Sequence, residues 1–371
     1  MSIEDTAFYK AMKRNQFVFF TKYKLTDKDY LEKKRKMKES TSKSKQQIEA
    51  EMLLCKEYWG CDAAHYVRYE LFDKQLSKEE LLDYIPPYYF YNYYMPAAYS
   101  GVDIATYSNK LNLFGLFSKK GIPTPEVIAV VEKGVLKDLN ARSMKTDLFC
   151  EMLKEEKKYF FKPVDGAGGS GIEVLININV GGVKSLIESF LTKLAKRQTY
   201  IVQEGIVQRD DFMAVNASSV NTLRIVTQYD GSCPQISACV MRIGRNGKHV
   251  DNSHQGGMSC RIDLNDGSLN ECATAEHGGG AFLEHPDSGF VFKGKSIEGW
   301  EEIKKAVLSY ASCFPELKEL GWDIAVTPEG VQVIEMNLGF GLDHLQVSCG
   351  GMRRKLNVYP GSRDVENSKK M

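Results

Sequence analysis

Tyr159-Phe160-Phe161-Lys162-Pro163-Val164-Asp165-Gly166-Ala167-Gly168-Gly169-Ser170-Gly171 is an aromatic, apolar run that ends on a lysine and a proline. It then breaks into four glycines within six residues and resumes as Ile172-Glu173-Val174-Leu175-Ile176. Strand, glycine loop, strand is the simplest pattern, with Pro163 closing the first ladder because it has no N–H to donate. Glycine suits places where φ must be positive or where backbone amides approach a ligand closely. Successive exposed N–H groups form an anion-binding concavity, and Lys162 adds a positive charge beside it. The alternative is an ordinary hairpin with a flexible tip. The rest of the chain decides between the two.

At 371 residues the chain is long enough for two or three packed units. Its hydrophobic content of 43% and charged content of 26% are ordinary for a soluble globular protein. A formal net charge of +1 argues against a nucleic-acid binder. The nine cysteines are odd in number and include no CxxC pair, which disfavours a disulfide framework and a zinc site. Reduced thiols, no apolar signal segment in Met1 to Tyr9 and no membrane-length apolar run together predict a cytoplasmic protein.

Working outward toward the N-terminus, Lys22 to Lys45 is lysine-rich and reads as a solvated helical face. Contact with an anionic membrane surface or a phosphorylated partner is the alternative. Helical patterning runs to about residue 73, and Ser77-Lys78-Glu79-Glu80 opens a new helix with a capping box. Between Asp83 and Tyr94 lie six tyrosines in twelve residues. They read as amphipathic core with wet hydroxyl tips, or as a platform for a sugar. Leu111 to Lys120 reads as a helix ended by Gly121, followed by a strand over Glu126 to Val131 and a variable stretch over 132 to 156. Beyond the glycine loop, Gly181 to Lys196 is an amphipathic helix and Tyr200-Ile201-Val202-Gln203-Glu204 a short strand. Thr222 to Tyr229 and Gln235 to Ile243 read as neighbouring strands, joined by Asp230-Gly231-Ser232. Glu298 to Phe314 is a helix.

Trp322-Asp323-Ile324-Ala325-Val326-Thr327 and Val331-Gln332-Val333-Ile334-Glu335-Met336-Asn337 flank Pro328-Glu329-Gly330, which reads as a three-residue hairpin loop. That register sets Thr327 against Val331, Ala325 against Val333 and Asp323 against Glu335, with Asn337 on the face of Glu335. Two facing carboxylates repel and call for a compensating cation. Oxygen donors from Asp, Glu and Asn suit Mg²⁺, which shares its ligands with phosphates. A register slip that turns one carboxylate to solvent is the alternative. Arg224 stands inside the apolar strand Asn221 to Thr227, either on an exposed face or as the partner of a phosphate or carboxylate in the site.

This order of signals resembles the ATP-grasp superfamily from Asn109 to Gly339. It runs from Lys110 and the turn Gly121 to Pro125, through the Phe161-Lys162-Pro163 strand with its glycine loop and the Val202-Gln203-Glu204 hinge, to the Asn221-Thr222-Leu223-Arg224 strand and the acidic hairpin. The Asn221 to Thr227 run and Gly321-Trp322-Asp323-Ile324-Ala325 more narrowly resemble the sugar-transfer associated ATP-grasp proteins, linked with surface-polysaccharide synthesis. The resemblance implies an α+β ATP-grasp fold in which two α+β subdomains grip ATP. A helical N-terminal extension (1–100) would precede the N-terminal and lid subdomains (101–205) and a C-terminal subdomain with the metal site (206–371).

It further implies that Lys110 and Lys162 contact the phosphates of ATP while Gly166, Gly168, Gly169, Ser170 and Gly171 close over them. Gln203, Glu204 and Ile206 would line the adenine pocket, and Asp211 would meet the ribose. Asp323, Glu335 and Asn337 would hold one or two Mg²⁺ ions. Arg224 would act with Lys162 in catalysis by stabilising the transferring phosphoryl group. The expected activity is an ATP-dependent carboxylate–amine ligase working through an acyl-phosphate, on small molecules that include a sugar conjugate among the candidates. A kinase acting on a hydroxyl and a nucleotide-binding module without turnover are the competing readings. Such phosphoryl transfer asks for positioning and charge neutralisation rather than a protein nucleophile.

Overall fold

A computed structural model describes residues 28–39, 41–154, 157–165, 171–176, 183–194, 199–247, 256–275 and 280–360. Two antiparallel sheets carry the fold. The first contains β1 (Val127–Glu132), β2 (Val135–Lys137), β3 (Tyr159–Pro163), β4 (Glu173–Leu175) and β5 (Tyr200–Glu204), in the order β2-β1-β5-β3-β4. The second contains β6 (Thr222–Tyr229), β7 (Pro234–Ile243), β8 (Met258–Ile262), β9 (Leu269–Ala275), β10 (Ala281–Phe282), β11 (Glu319–Thr327) and β12 (Gly330–Asn337), in the order β10-β9-β8-β7-β6-β11-β12. The helices used below are α1 (Lys28–Glu39), α2 (Lys45–Trp59), α3 (Ala64–Arg68), α4 (Lys110–Lys120), α5 (Val183–Leu194), α6 (Asp210–Val215), α7 (Trp300–Ser312) and α8 (Leu342–Cys349).

In β3 the pleat buries Tyr159 and Phe161 and leaves Phe160 and Lys162 half-buried. Phe161 stacks on Phe190 of α5 with centroids 5.3 Å apart, so the helix covers the inner face of this small sheet. β3 ends at Pro163 and pairs with β4 from Tyr159 against Leu175 to Phe161 against Glu173, a hairpin with the expected strands. α4 begins where the Asn109 side chain accepts from the amides of Leu111 and Asn112, and ends where Gly121 takes φ +66°. The stretch 132–156 holds more order than its sequence indicates, namely β2 and a helix over Thr146–Met152.

The second sheet holds the larger core. All nine residues of β11 are buried, and the Trp322 indole donates to Thr227 Oγ1 at 2.9 Å. One face of α7, with Trp300, Ile303, Val307 and Ala311, packs into it. Residues from Ile85 to Ile122 belong to the same hydrophobic cluster. Tyr84, Tyr91 and Tyr94 are buried with bonded hydroxyls: Tyr94 donates to the Glu319 carboxylate, and Tyr91 accepts from the Leu342 amide at 3.0 Å. This part of the tyrosine run is therefore core. The capping box of Ser77 with Glu80 is present, and Ser44 with Gln47 forms another ahead of α2.

The β11–β12 turn differs from its expected form. Thr327 pairs with Gly330 and Val326 with Val331, so the loop holds only Pro328 and Glu329. Near the turn this register is one residue off the expected one. A bulge at Ile334 then inserts one residue into β12, and Asp323 comes to face Glu335 after all. A bulge leaves no mark in an alternating apolar pattern, which is why the sequence reached the right pair through the wrong turn.

Candidate active site

Neighbouring strands concentrate charge at one place on the second sheet. Arg224 of β6 lies directly across from Asp323 of β11, which in turn faces Glu335 of β12. Arg242 of β7 is opposite Thr222, two residues along from the Val240 that faces Arg224, so it approaches on the diagonal. Arg224 grips Asp323 with two bonds, Nε to Oδ1 at 2.6 Å and Nη2 to Oδ2 at 2.9 Å. Its Nη1 donates to the Phe340 carbonyl at 2.6 Å, which fixes the guanidinium plane. Arg242 Nη1 adds a bond to Oδ2 at 3.1 Å, and the Asn337 amide another at 3.3 Å.

Burial would raise the pKa of Asp323, but the two guanidiniums outweigh it and hold the carboxyl well below the usual carboxylate range. Glu335 pairs with Lys110 Nζ at 2.9 Å, with the two side chains only 28% and 17% exposed. Each facing carboxylate thus receives a cation from the chain itself. The hairpin considered alone could not show this, because the arginines come from the next two strands and the lysine from α4.

The first sheet comes to this cluster through backbone links. The Lys110 amide donates to the Val164 carbonyl at 2.9 Å, the Val333 amide to Pro123 at 2.8 Å, and the Arg209 amide to Val326 at 2.9 Å. Lys162 stands half-buried on β3 with its ammonium 5.6 Å from the Phe160 ring centroid. Gly171 takes φ +74°, and a Cβ there would lie 3.2 Å from Pro163. Gly166, Gly168, Gly169 and Ser170 lie outside the described residues.

At the hinge, Gln203 is buried and donates to the Pro125 carbonyl at 3.1 Å, tying β5 to the Gly121–Pro125 turn. Glu204 pairs with Lys157 at 3.1 Å and Lys154 at 3.7 Å. The Gly205 amide donates to Lys158 at 2.7 Å, and a Cβ there would meet Lys158 at 3.0 Å. Ile206 follows, half-buried, in the segment between β5 and α6. Asp211, in the first turn of α6, is held bidentately by Arg209 at 2.7 and 2.8 Å.

A family model for sugar-transfer associated ATP-grasp proteins matches residues 89–358. The chain belongs to this family. Its fold is accordingly the ATP-grasp fold, with the helices of the N-terminal region ahead of the matched part. Among solved structures, D-alanyl-alanine synthetase A from Vibrio cholerae O1 biovar eltor str. N16961 is 13% identical, with a TM-score of 0.41 over 74% of this chain and 65% of that one. D-cycloserine synthetase DcsG is 16% identical, with a TM-score of 0.39 over 68% and 69% of the two chains. The ATP-grasp ligase PsnB, complexed with minimal precursor, Mg and ADP, is 15% identical, with a TM-score of 0.36 over 70% and 61%. This ATP-grasp chain therefore spans less than two thirds of the first and third of these structures. No curated protein sequence matches it.

Arg242 is the member of the Asp323 charge cluster that sequence reasoning missed in this ATP-grasp chain. The signal was present, since an arginine in the apolar run Cys239-Val240-Met241-Arg242-Ile243 is as anomalous as Arg224 in its own strand. The oxygen donors of Asp323, Glu335 and Asn337 have the chemistry of a hard-cation site, with Glu335 the more exposed of the two carboxylates. The set fits Mg²⁺ in kind, with Glu335 the more open donor, while both oxygens of Asp323 already accept from Arg224, Arg242 and Asn337.

Proposed function

We propose that this chain is an ATP-dependent ligase that joins a carboxylate to an amine through an acyl-phosphate. The observation that carries the reading is the buried Arg224–Asp323–Arg242 cluster beside the Lys110–Glu335 pair. A buried ion cluster of this kind is poor value as pure stabilisation, since apolar residues of similar volume usually do as well. Its position on adjacent strands suits a site where phosphate charge has to be received. Membership in a family named for sugar transfer supports a substrate from polysaccharide or sugar-conjugate synthesis, handled in the cytoplasm where ATP is made available.

Lys162 and Lys110 would neutralise the phosphates of ATP, and Gln203, Glu204 and Ile206 would border the adenine beside Asp211 at the ribose. Asp323, Glu335 and Asn337 would hold Mg²⁺, which would supply neutralisation of the charge developing on the phosphates. Arg224 and Arg242, locked by Asp323, present fixed positive charge to the transferring group at no cost in reorganisation. The acceptor carboxylate oxygen attacks the γ-phosphorus, and the bond to the ADP oxygen breaks. An amine then attacks the acyl carbon, phosphate leaves, and the amine proton passes to solvent or phosphate. ADP release measured with carboxylates, with and without an amine, tests the proposal. A requirement for both, with an amide as product, supports it; a phosphate ester on a hydroxyl would make the protein a kinase.

A further inference from the structure

The N-terminal helices contain a feature that the ligase reading leaves unused. A cleft of about 620 Å³ is bordered by α1, by residues 68–74, by the β9–β10 edge and by Val347 of α8. That volume is in the range of small-molecule pockets. Two of its four walls lie before residue 89, where the family match begins.

Most of the charge on these walls is settled internally. Lys33 meets Asp29 at 3.2 Å and donates to the Arg68 carbonyl at 3.1 Å. Lys36 meets Glu70 at 3.0 Å, Arg35 meets Glu39 at 2.9 Å, and Arg68 meets Asp343 at 2.7 Å. Glu32, the remaining acid of the lining, is exposed. Lys74 differs from the other cations. Among the described residues no carboxylate oxygen comes within the 4.0 Å of an ion pair. Its ammonium is instead 3.2 Å from the Tyr84 hydroxyl and 5.0 Å from the centroid of that ring.

Burial lowers the pKa of Lys74 more than nearby Glu70 restores it, and the Lys33 ammonium lowers it further. An anion in the cleft would supply Lys74 with the carboxylate-like countercharge it lacks and offset its repulsion from Lys33. We propose that this cleft binds a small molecule through an oxyanion group, phosphate or carboxylate, held by Lys74 with Lys33 at its flank. The Arg68–Asp343 pair fastens one wall to α8, and the next residue of that helix, His344, contributes to the field at Asp323. A ligand in the cleft therefore sits against the helix that also borders the acidic cluster.

Calorimetry on the full chain tests the proposal, with the nucleotide site first saturated by the magnesium salt of a non-hydrolysable ATP analogue. The probes are inorganic phosphate, glucose 1-phosphate and citrate, so that the phosphate and carboxylate sources are compared directly. At least one probe is expected to bind wild type. Lys74→Met should weaken that binding about tenfold or more, the loss of one charge-assisted hydrogen bond, while Lys74→Arg restores most of it. Analogue affinity should be the same in all three proteins. No binding of any probe, or equal binding by Lys74→Met, overturns the proposal. If Lys74→Met does not fold, reductively ¹³C-methylated wild type provides the reading by NMR. The Lys74 signal must titrate at higher pH when the bound probe is present, and an unchanged titration rejects the site.

Discussion

Removing the Asp323 carboxylate should destabilise the second sheet more than any other single polar change in it. Asp323→Ala takes its carboxylate partner from the Arg224 guanidinium, 6% exposed and held at 2.6 and 2.9 Å, and one partner from Arg242, 8% exposed and held at 3.1 Å. Breaking one buried pair costs about 3–5 kcal/mol because the surviving charge stays desolvated, and the loss at Arg224 puts Asp323→Ala within that range. Replacing all three together, as Arg224→Met, Arg242→Met and Asp323→Leu, should recover most of it, since the Arg224 and Arg242 charges leave with their shared carboxylate. Urea unfolding followed by tryptophan fluorescence reads this directly, because Trp322 is buried next in sequence to Asp323. The folded pKa of Asp323 lies below its unfolded value, so its contribution is complete above about pH 4 and is lost as the pH falls further. That acid limb should shrink in the variants. Stability of Asp323→Ala within about 0.5 kcal/mol of wild type, the scale of an exposed pair, would refute the reasoning.

Glu335→Gln should abolish Mg·ATP-dependent ADP release while leaving the unfolding curve nearly in place; undiminished release would sink the metal assignment. Gly205→Ala forces a Cβ to 3.0 Å from the Lys158 backbone and to 3.2 Å from the Phe160 ring. That overpacking should cost about 1–3 kcal/mol and weaken binding of the ATP analogue, and no change in either quantity would count against a close approach there. His65 has both ring nitrogens buried without a hydrogen-bond partner among the described residues, and burial pushes its pKa down to about 3. Between its unfolded pKa near 6.5 and the folded value only the unfolded chain takes up the proton, so stability should fall by about 1.4 kcal/mol per pH unit on acidification. His65→Phe should flatten that slope; an identical slope in the variant would place the effect elsewhere.

Much of the fold was legible because its strands are built from strong local signals. Pro163 ended a ladder, Gly121 marked the end of α4, and Thr222 to Tyr229 alternated cleanly enough to give β6 its limits. The facing of Asp323 and Glu335 was legible from pattern, but the Ile334 bulge that produces it was not, because one extra apolar residue in an apolar strand changes no periodicity. The charges at the site were legible one at a time and not as a set. Arg224, Asp323, Glu335 and Lys110 each stood out, yet pairing them requires the order of β7, β6, β11 and β12, which only long-range contacts fix. Arg242 was overlooked because a basic residue near a strand end usually escapes to solvent, whereas this one turns inward to Asp323. Lys33 of α1 read as solvated and is instead largely covered where it reaches the Arg68 carbonyl, while Lys36 stays exposed and pairs with Glu70 and Asp73, all partners more than thirty residues away in the chain.

The central claim is that a carboxylate is phosphorylated on its way to an amide, and oxygen-18 transfer tests it most directly. A carboxylate and an amine that together support ADP release are incubated with Mg·ATP, the carboxylate being labelled in both oxygens, and the released phosphate is analysed by mass spectrometry. One labelled oxygen in the phosphate for each amide formed is the predicted result. Label-free phosphate, or label retained on an esterified product, would contradict it.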